Sequence, residues 1–197
     1  LRRLFNSPYL LWLVLAVPGA WWLQGYWRET LFYGEFVHAS GVLSARLLIV
    51  TLALTPLARL FPRSLPLHWL RRRRRYLGVA AFAYALLHAA VYLERQQSFD
   101  RILEDAMAAA MWTGWVALVV LLALAATSND ASVRRLGGRW PLLHRAVYVA
   151  AVLSFAHWIL SAFDPVPGYI HLGILAGLEA IRLYRRSPRS AAQQGGQ

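Results

Sequence analysis

Two histidines, His144 and His157, stand thirteen residues apart within one apolar stretch, residues 142–163. A third, His88, lies inside another, residues 76–93. Imidazole in hydrocarbon is costly and marks a metal, a proton path or a buried partner. The chain has no Cys. That excludes disulfides, thiolate-ligated heme, Cys-ligated iron–sulfur clusters and covalent heme attachment through Cys-x-x-Cys-His. The histidines therefore read as axial ligands of a non-covalent, b-type heme in a helical bundle.

Depth decides which histidines can share an iron. A helix rises about 1.5 Å per residue. With residues 76–93 and 142–163 both running outward, His88 lies roughly 18 Å in and His157 roughly 22 Å in. They form the natural pair, near the outer face. His144 is about 3 Å in, at the inner edge. It could hold a second heme, but the matching position on the third span is Arg75, which is no ordinary axial ligand. Thirteen residues also turn His144 and His157 roughly 140° apart around a helix. The competing reading of each histidine is a hydrogen bond to a neighbouring helix or, for His144, a place among the headgroups. His38, His68 and His171 fall at or beyond span boundaries and read as non-ligating.

Six apolar stretches must position these residues: 8–27, 37–60, 76–93, 106–127, 142–163 and 168–184. Each is near the 20 or so residues that a bilayer requires. Of the 197 residues, 58% are hydrophobic, which places the chain among integral membrane proteins. No cleavable leader is evident, so the first stretch is expected to be retained, with a kink at Pro18-Gly19. The expected fold is all-α, a six-helix membrane bundle over residues 1–186. Residues 187–197 are expected to form a disordered cytoplasmic tail. No internal repeat is visible. No G-x-G-x-x-G follows a strand, so no nicotinamide or flavin domain is expected.

The net charge is +12, and all 21 basic residues are Arg. In a soluble chain this would suggest nucleic acid; here the arginines collect at span ends, which argues for a lipid bilayer and against nucleic acid. With both termini cytoplasmic, sixteen arginines fall inside, three outside (Arg28, Arg95, Arg101) and two within spans (Arg46, Arg145), as the positive-inside rule requires. The outer connection 94–105 is partly helical in pattern and is expected along the surface. Arg46 wants a carboxylate, which a heme propionate supplies; the competing reading is snorkelling to the surface. Arg71 to Arg75 anchor topology, and Arg74 and Arg75 could also face an inner propionate or a cofactor phosphate. Most Trp residues read as an interfacial belt, with one or two flanking a porphyrin.

Several segments resemble the MsrQ (YedZ) family of heme-binding membrane subunits, within the ferric-reductase-like transmembrane superfamily. They are Ser44-Ala45-Arg46-Leu47-Leu48, Thr55-Pro56-Leu57, Arg74-Arg75-Tyr76-Leu77-Gly78, and Phe82-Ala83-Tyr84 leading to His88. Further on come Thr127-Ser128, Leu136-Gly137, Trp140, Leu143-His144-Arg145, Tyr148 and His157. The chain departs from the family's basic-Pro-Tyr-Ile-Thr-like stretch, reading Ala108-Ala109-Ala110-Met111-Trp112-Thr113-Gly114. The resemblance implies heme ligation by His88, His157 and His144. Arg46, Arg74, Arg75, Trp140 and Arg145 are the residues expected on the cofactor. It implies electrons entering from a cytoplasmic flavin reductase or quinol, through bound FMN if a flavin is held. They would leave to a periplasmic molybdopterin subunit that reduces protein methionine sulfoxide.

The expected role is thus electron transfer across a bacterial inner membrane, by a subunit that is not itself the catalytic one. Two alternatives stand beside it. One is a ferric- or oxygen-reductase-like cytochrome with a small-molecule acceptor. The other is a heme-free transporter or assembly factor. A co-purifying molybdenum protein separates the first from the expected role, and a colourless preparation would favour the second.

Overall fold

The computed structural model describes residues 7–96 and 98–184. Expectations placed on Arg2, Arg3, Arg185, Arg186, Arg189 and the 187–197 tail lie outside the described residues. Among the described residues every element is helical. In chain order they are α1 (Pro8–Trp27), α2 (Tyr33–Leu60), α3 (Leu65–Arg72), α4 (Arg74–Arg95), α5 (Phe99–Met107) and α6 (Ala109–Ala126). Then come α7 (Asp130–Leu136), a 3-10 turn (Gly137–Arg139), α8 (Trp140–His144), α9 (Val147–Ser161) and α10 (Val166–Tyr184).

Two helix pairs carry the fold. α2 packs along α4, and α6 packs along α9; α4 meets α6 and α9 meets α2, which joins the pairs. Small residues are buried at both seams: Ser40, Ser44 and Ala45 with Ala80 and Ala81, and Ala117 with Ala150 and Ala151. In lipid, such residues let backbones approach, and close packing then replaces the hydrophobic drive that lipid tails cannot supply. Ser44 Oγ adds a hydrogen bond to the Ala81 carbonyl at 2.8 Å. The outward faces stay apolar, with Val14, Val119, Leu122, Val152 and Ile174 all exposed. Exposed apolar faces on such helices belong against lipid tails rather than water.

By length and composition, α2, α4 and α6 are each able to cross a membrane. A fourth span exists if Asp130–His144 and Val147–Ser161, which meet at a 43° bend, act as one. The chain is therefore a multi-pass membrane protein. The bend departs from the unbroken fifth span expected from residue 142. Val147–Ser161 has 15 residues, or about 22 Å of helix, short of a hydrocarbon core of about 30 Å. The break at Arg145-Ala146 puts His144 on a separate short helix, α8.

α1 runs through Pro18 without interruption. Proline removes one ladder bond and strains the turn before it. The Tyr84 hydroxyl of α4 inserts there, accepting from Gly19 N–H at 3.0 Å and donating to the Leu15 carbonyl at 2.6 Å. A side chain entering the ladder in this way fastens α1 to α4 at its weakest turn.

The connections are more ordered than their polarity implies. α5 alternates Phe99, Ile102, Leu103 and Met107 with Asp100, Arg101, Glu104 and Asp105, the pattern of a helix lying in an interface. Asp105 pins it by accepting from the Tyr92 hydroxyl and from Gln96 Nε2, each at 2.9 Å. At the other end, Asn129 caps α7 by accepting from Ser132 N–H at 2.8 Å. Arg75 pairs with Asp130 at 2.7 Å. The Trp140 indole donates to the Thr127 carbonyl at 2.9 Å and holds α8 against the end of α6.

Candidate metal centre

His88 of α4 and His157 of α9 face each other across the space between the two helix pairs. Their ring centroids are 6.0 Å apart and their planes meet at 87°. Each ring is fixed by its partner helix. His88 Nδ1 lies 2.9 Å from the Val37 carbonyl of α2. His157 Nδ1 lies 2.6 Å from the Ala110 carbonyl of α6. A carbonyl only accepts, so Nδ1 carries the hydrogen in both rings and Nε2 keeps a free lone pair. This is the tautomer and the second-shell contact that a ligating histidine needs.

Glycine makes the approach feasible on both sides. A β-carbon at Gly41 would meet His88 Nδ1 at 3.1 Å, and one at Gly114 would meet His157 Nδ1 at 2.7 Å. Each imidazole therefore lies against bare backbone. Neither glycine stands out in the sequence, because the pairing of α2 with α4 and of α6 with α9 is not written in either span alone. The available signal was a hydroxyl–glycine dipeptide, Ser40-Gly41 and Thr113-Gly114, inside each of two apolar spans.

The histidines open onto a cavity of about 760 Å³, within the range of small-molecule and cofactor sites. Tyr33, Tyr92, Trp115, Trp158 and Phe163 supply aromatic walls, and Gly41, Ala45, Gly114 and Ala117 leave room between them. Among the described residues no group of three or more His, Cys, Asp or Glu side chains could hold a bare metal ion. Two facing imidazoles suit instead a metal whose remaining ligands arrive with a flat organic ring. Two metal–nitrogen bonds of about 2.0 Å plus half of each imidazole span roughly 6 Å. The observed separation matches, so the residues present fit a heme.

The remaining predicted residues gather elsewhere. His144 stacks on Trp140 at 3.9 Å and 25°, and its Nε2 lies 3.1 Å from Thr127 Oγ1. Arg74 and Arg75 are electrostatic neighbours of His144. Arg74 also reaches Thr55 Oγ1 at 3.4 Å. Arg145 is exposed at the α8–α9 break. None of these five lines the cavity. Arg46 does not line it either: it is exposed, and its Nε donates to His171 Nε2 at 3.3 Å. Of the histidines expected not to ligate, His38 is exposed at the cavity lining. His68 Nε2 meets the Pro62 carbonyl at 2.7 Å, and His171 Nδ1 meets that of Pro167 at 2.6 Å. Trp158 lies between cavity and His171, 5.0 Å from the latter ring.

Known proteins share this arrangement of sequence. Residues 40–155 match the family described as ferric reductase like transmembrane component; His157 lies two residues beyond that match. A relative from Azospira oryzae, named protein-methionine-sulfoxide reductase heme-binding subunit MsrQ, is 36% identical over 92% of this chain and 83% of its own length. Relatives of the same name from Rhizobium meliloti and Brucella anthropi are 40% and 36% identical. They cover 77% and 92% of this chain, and 70% and 84% of their own lengths. No solved structure matches. On these matches and the facing histidine pair, the chain belongs to the ferric-reductase-like transmembrane family, in its MsrQ branch.

Proposed function

We propose that this chain is the heme-binding membrane subunit of a protein-methionine-sulfoxide reductase system and conducts electrons across a bacterial inner membrane. The observation that carries the reading is the His88–His157 pair, 6.0 Å between rings with both Nδ1 atoms anchored on carbonyls. Bound heme supplies one-electron redox chemistry at this site. His88 and His157 would hold that heme from opposite sides through their Nε2 atoms. The Val37 and Ala110 carbonyls hold the two rings in their ligating tautomer. Trp115 and Trp158, both half-buried at the cavity wall, shield the site from water and keep its local dielectric low.

The topology proposed is one domain of six spans over residues 1–186, with both ends in the cytoplasm. The excess of inside arginines supports it. The six-span count takes α1 and α10, 20 and 19 residues long, as spans beside the three or four that length and composition select. In this orientation α4 and α9 both run outward and deliver His88 and His157 to the outer half. Arg74, Arg75, Arg145, Trp140 and His144 then form the inner end. That cationic cluster suits an anionic donor group, such as the phosphate of FMN or a heme propionate. A second heme at His144 would need to displace the Thr127 contact on its Nε2. The proposed donor is a cytoplasmic flavin reductase or a quinol, and the proposed acceptor a periplasmic molybdopterin reductase.

The test is directional. The chain is placed in vesicles, reduced from the arginine-rich side by a flavin reductase with NADH, or by a quinol. Its heme spectrum is followed on adding the molybdopterin reductase and methionine sulfoxide to the other side. Reoxidation that requires both additions supports the reading. Reoxidation at the same rate by ferric chelate or oxygen alone contradicts it and favours a reductase with a small-molecule acceptor.

A further inference from the structure

The two histidines are held by the same device, built twice on unrelated helices. Ser40 and Thr113 immediately precede the glycines that the rings lie against. Ser40 Oγ donates back along its helix, 2.8 Å to the Phe36 carbonyl and 3.1 Å to that of Val37. Thr113 Oγ1 does the same, 2.9 Å to the Ala109 carbonyl and 2.8 Å to that of Ala110. Val37 and Ala110 are the carbonyls that accept from His88 and His157. Both hydroxyl residues are buried, at 0% and 6% exposure.

Hydroxyls in apolar helices often bond backwards merely to satisfy themselves. Thr51, Thr127 and Ser128 do so here, on the carbonyls of Leu47, Ala123 and Leu124. Among the described residues no histidine shares those acceptors, and only at Ser40 and Thr113 does the hydroxyl converge with an imidazole N–H on one oxygen.

We infer that Ser40 and Thr113 are positioning residues whose hydroxyls share a main-chain carbonyl with each axial imidazole and thereby tune the iron's reduction potential. The inference rests on the heme reading above. A carbonyl oxygen has two lone pairs, and the helix ladder already brings one N–H to each of these oxygens. Hydroxyl and imidazole N–H divide what is left, so each bond is weaker than it would be alone. Removing the hydroxyl strengthens the bond from Nδ1–H. The ring then pushes more electron density to the iron and favours the ferric state. The midpoint potential falls. Thr113 lies nearer the shared oxygen than Ser40 does, so its removal has the larger effect.

The test uses the full chain as wild type and as Thr113→Val, Ser40→Ala, Thr113→Ser, Ser40→Thr and the control Thr51→Val. Heme per chain is measured by pyridine hemochrome and midpoint potential by spectroelectrochemical titration. The expected result is full heme throughout, a lowered midpoint in Thr113→Val, and a smaller drop in Ser40→Ala. Wild-type values are expected in the two hydroxyl-keeping variants and in Thr51→Val. An unchanged or raised midpoint in Thr113→Val and Ser40→Ala at full heme overturns the inference, as does an equal drop in Thr51→Val. Loss of heme in Thr113→Val but not in Thr113→Ser contradicts a strengthened ring bond and overturns it. Loss in both assigns Thr113 to packing alone and overturns it. A wild-type chain without heme is a separate result, which removes the heme reading itself.

Discussion

A β-carbon on Gly114 would meet Nδ1 of His157 at 2.7 Å. Atoms do not share that distance, so either the ring or the helix must move. The carbonyl bond that orients the ring is then lost too. Gly114→Ala is therefore expected to lose most of its heme, by more than half on a pyridine hemochrome assay. At Gly41 the same contact is 3.1 Å to His88, which a few tenths of an ångström of adjustment relieves. Gly41→Ala is expected to keep more heme than Gly114→Ala. The reverse order would contradict the geometry.

The near-perpendicular planes of His88 and His157, at 87°, make a spectroscopic prediction. An iron between crossed imidazoles has nearly degenerate π-symmetry d orbitals. The oxidised protein should give a highly anisotropic low-spin EPR signal. A rhombic signal typical of parallel rings would show that the imidazoles turn on ligation.

Tyr84 is expected to matter for stability and not for heme. Tyr84→Phe removes two hydrogen bonds, to Gly19 N–H and to the Leu15 carbonyl, at the one turn that Pro18 weakens. The cost is about 1–3 kcal/mol, read as a lowered thermal transition in detergent. Heme per chain stays at the wild-type value. An unchanged transition would mean that the Tyr84 hydroxyl does not hold α1.

The inner surface carries a pH-dependent contact. Hydrogen bonding and charge from Arg75 hold the Asp130 carboxyl below its ordinary value of 3.8. A carboxyl depressed in the folded state stabilises it above the ordinary value, and that contribution disappears as pH falls through the depressed one. The difference in thermal transition between wild type and Asp130→Asn should be small and positive at neutral pH. It should vanish on strong acidification. Growth of the difference in acid would contradict the assignment.

Much of the fold was legible because membrane spans announce themselves by length and apolarity. α2, α4, α6 and α10 begin and end within a few residues of the stretches read from sequence. The closeness of His88 to His157 was legible because depth follows from counting residues. What could not be counted was rotation. Arg46 faces His171 because of where α2 presents that position to α10, and no sequence period sets which neighbour stands there. Gly41 and Gly114 acquire meaning only once each is opposite a particular ring. The break before α9 was hidden because Leu142, Leu143 and Ala146 are as apolar as the span they lead into. The doubled hydroxyl–glycine device spans two residues per copy, too short to register as a repeat.

The central claim is that His88 and His157 grip one iron between them. The most direct measurement is the optical and EPR spectrum of purified wild type beside His88→Ala and His157→Ala, with heme per chain determined for each. The predicted result is a six-coordinate low-spin heme in wild type that disappears in both variants, or becomes five-coordinate and binds carbon monoxide. An unchanged low-spin heme, at full occupancy, in either variant would contradict the account.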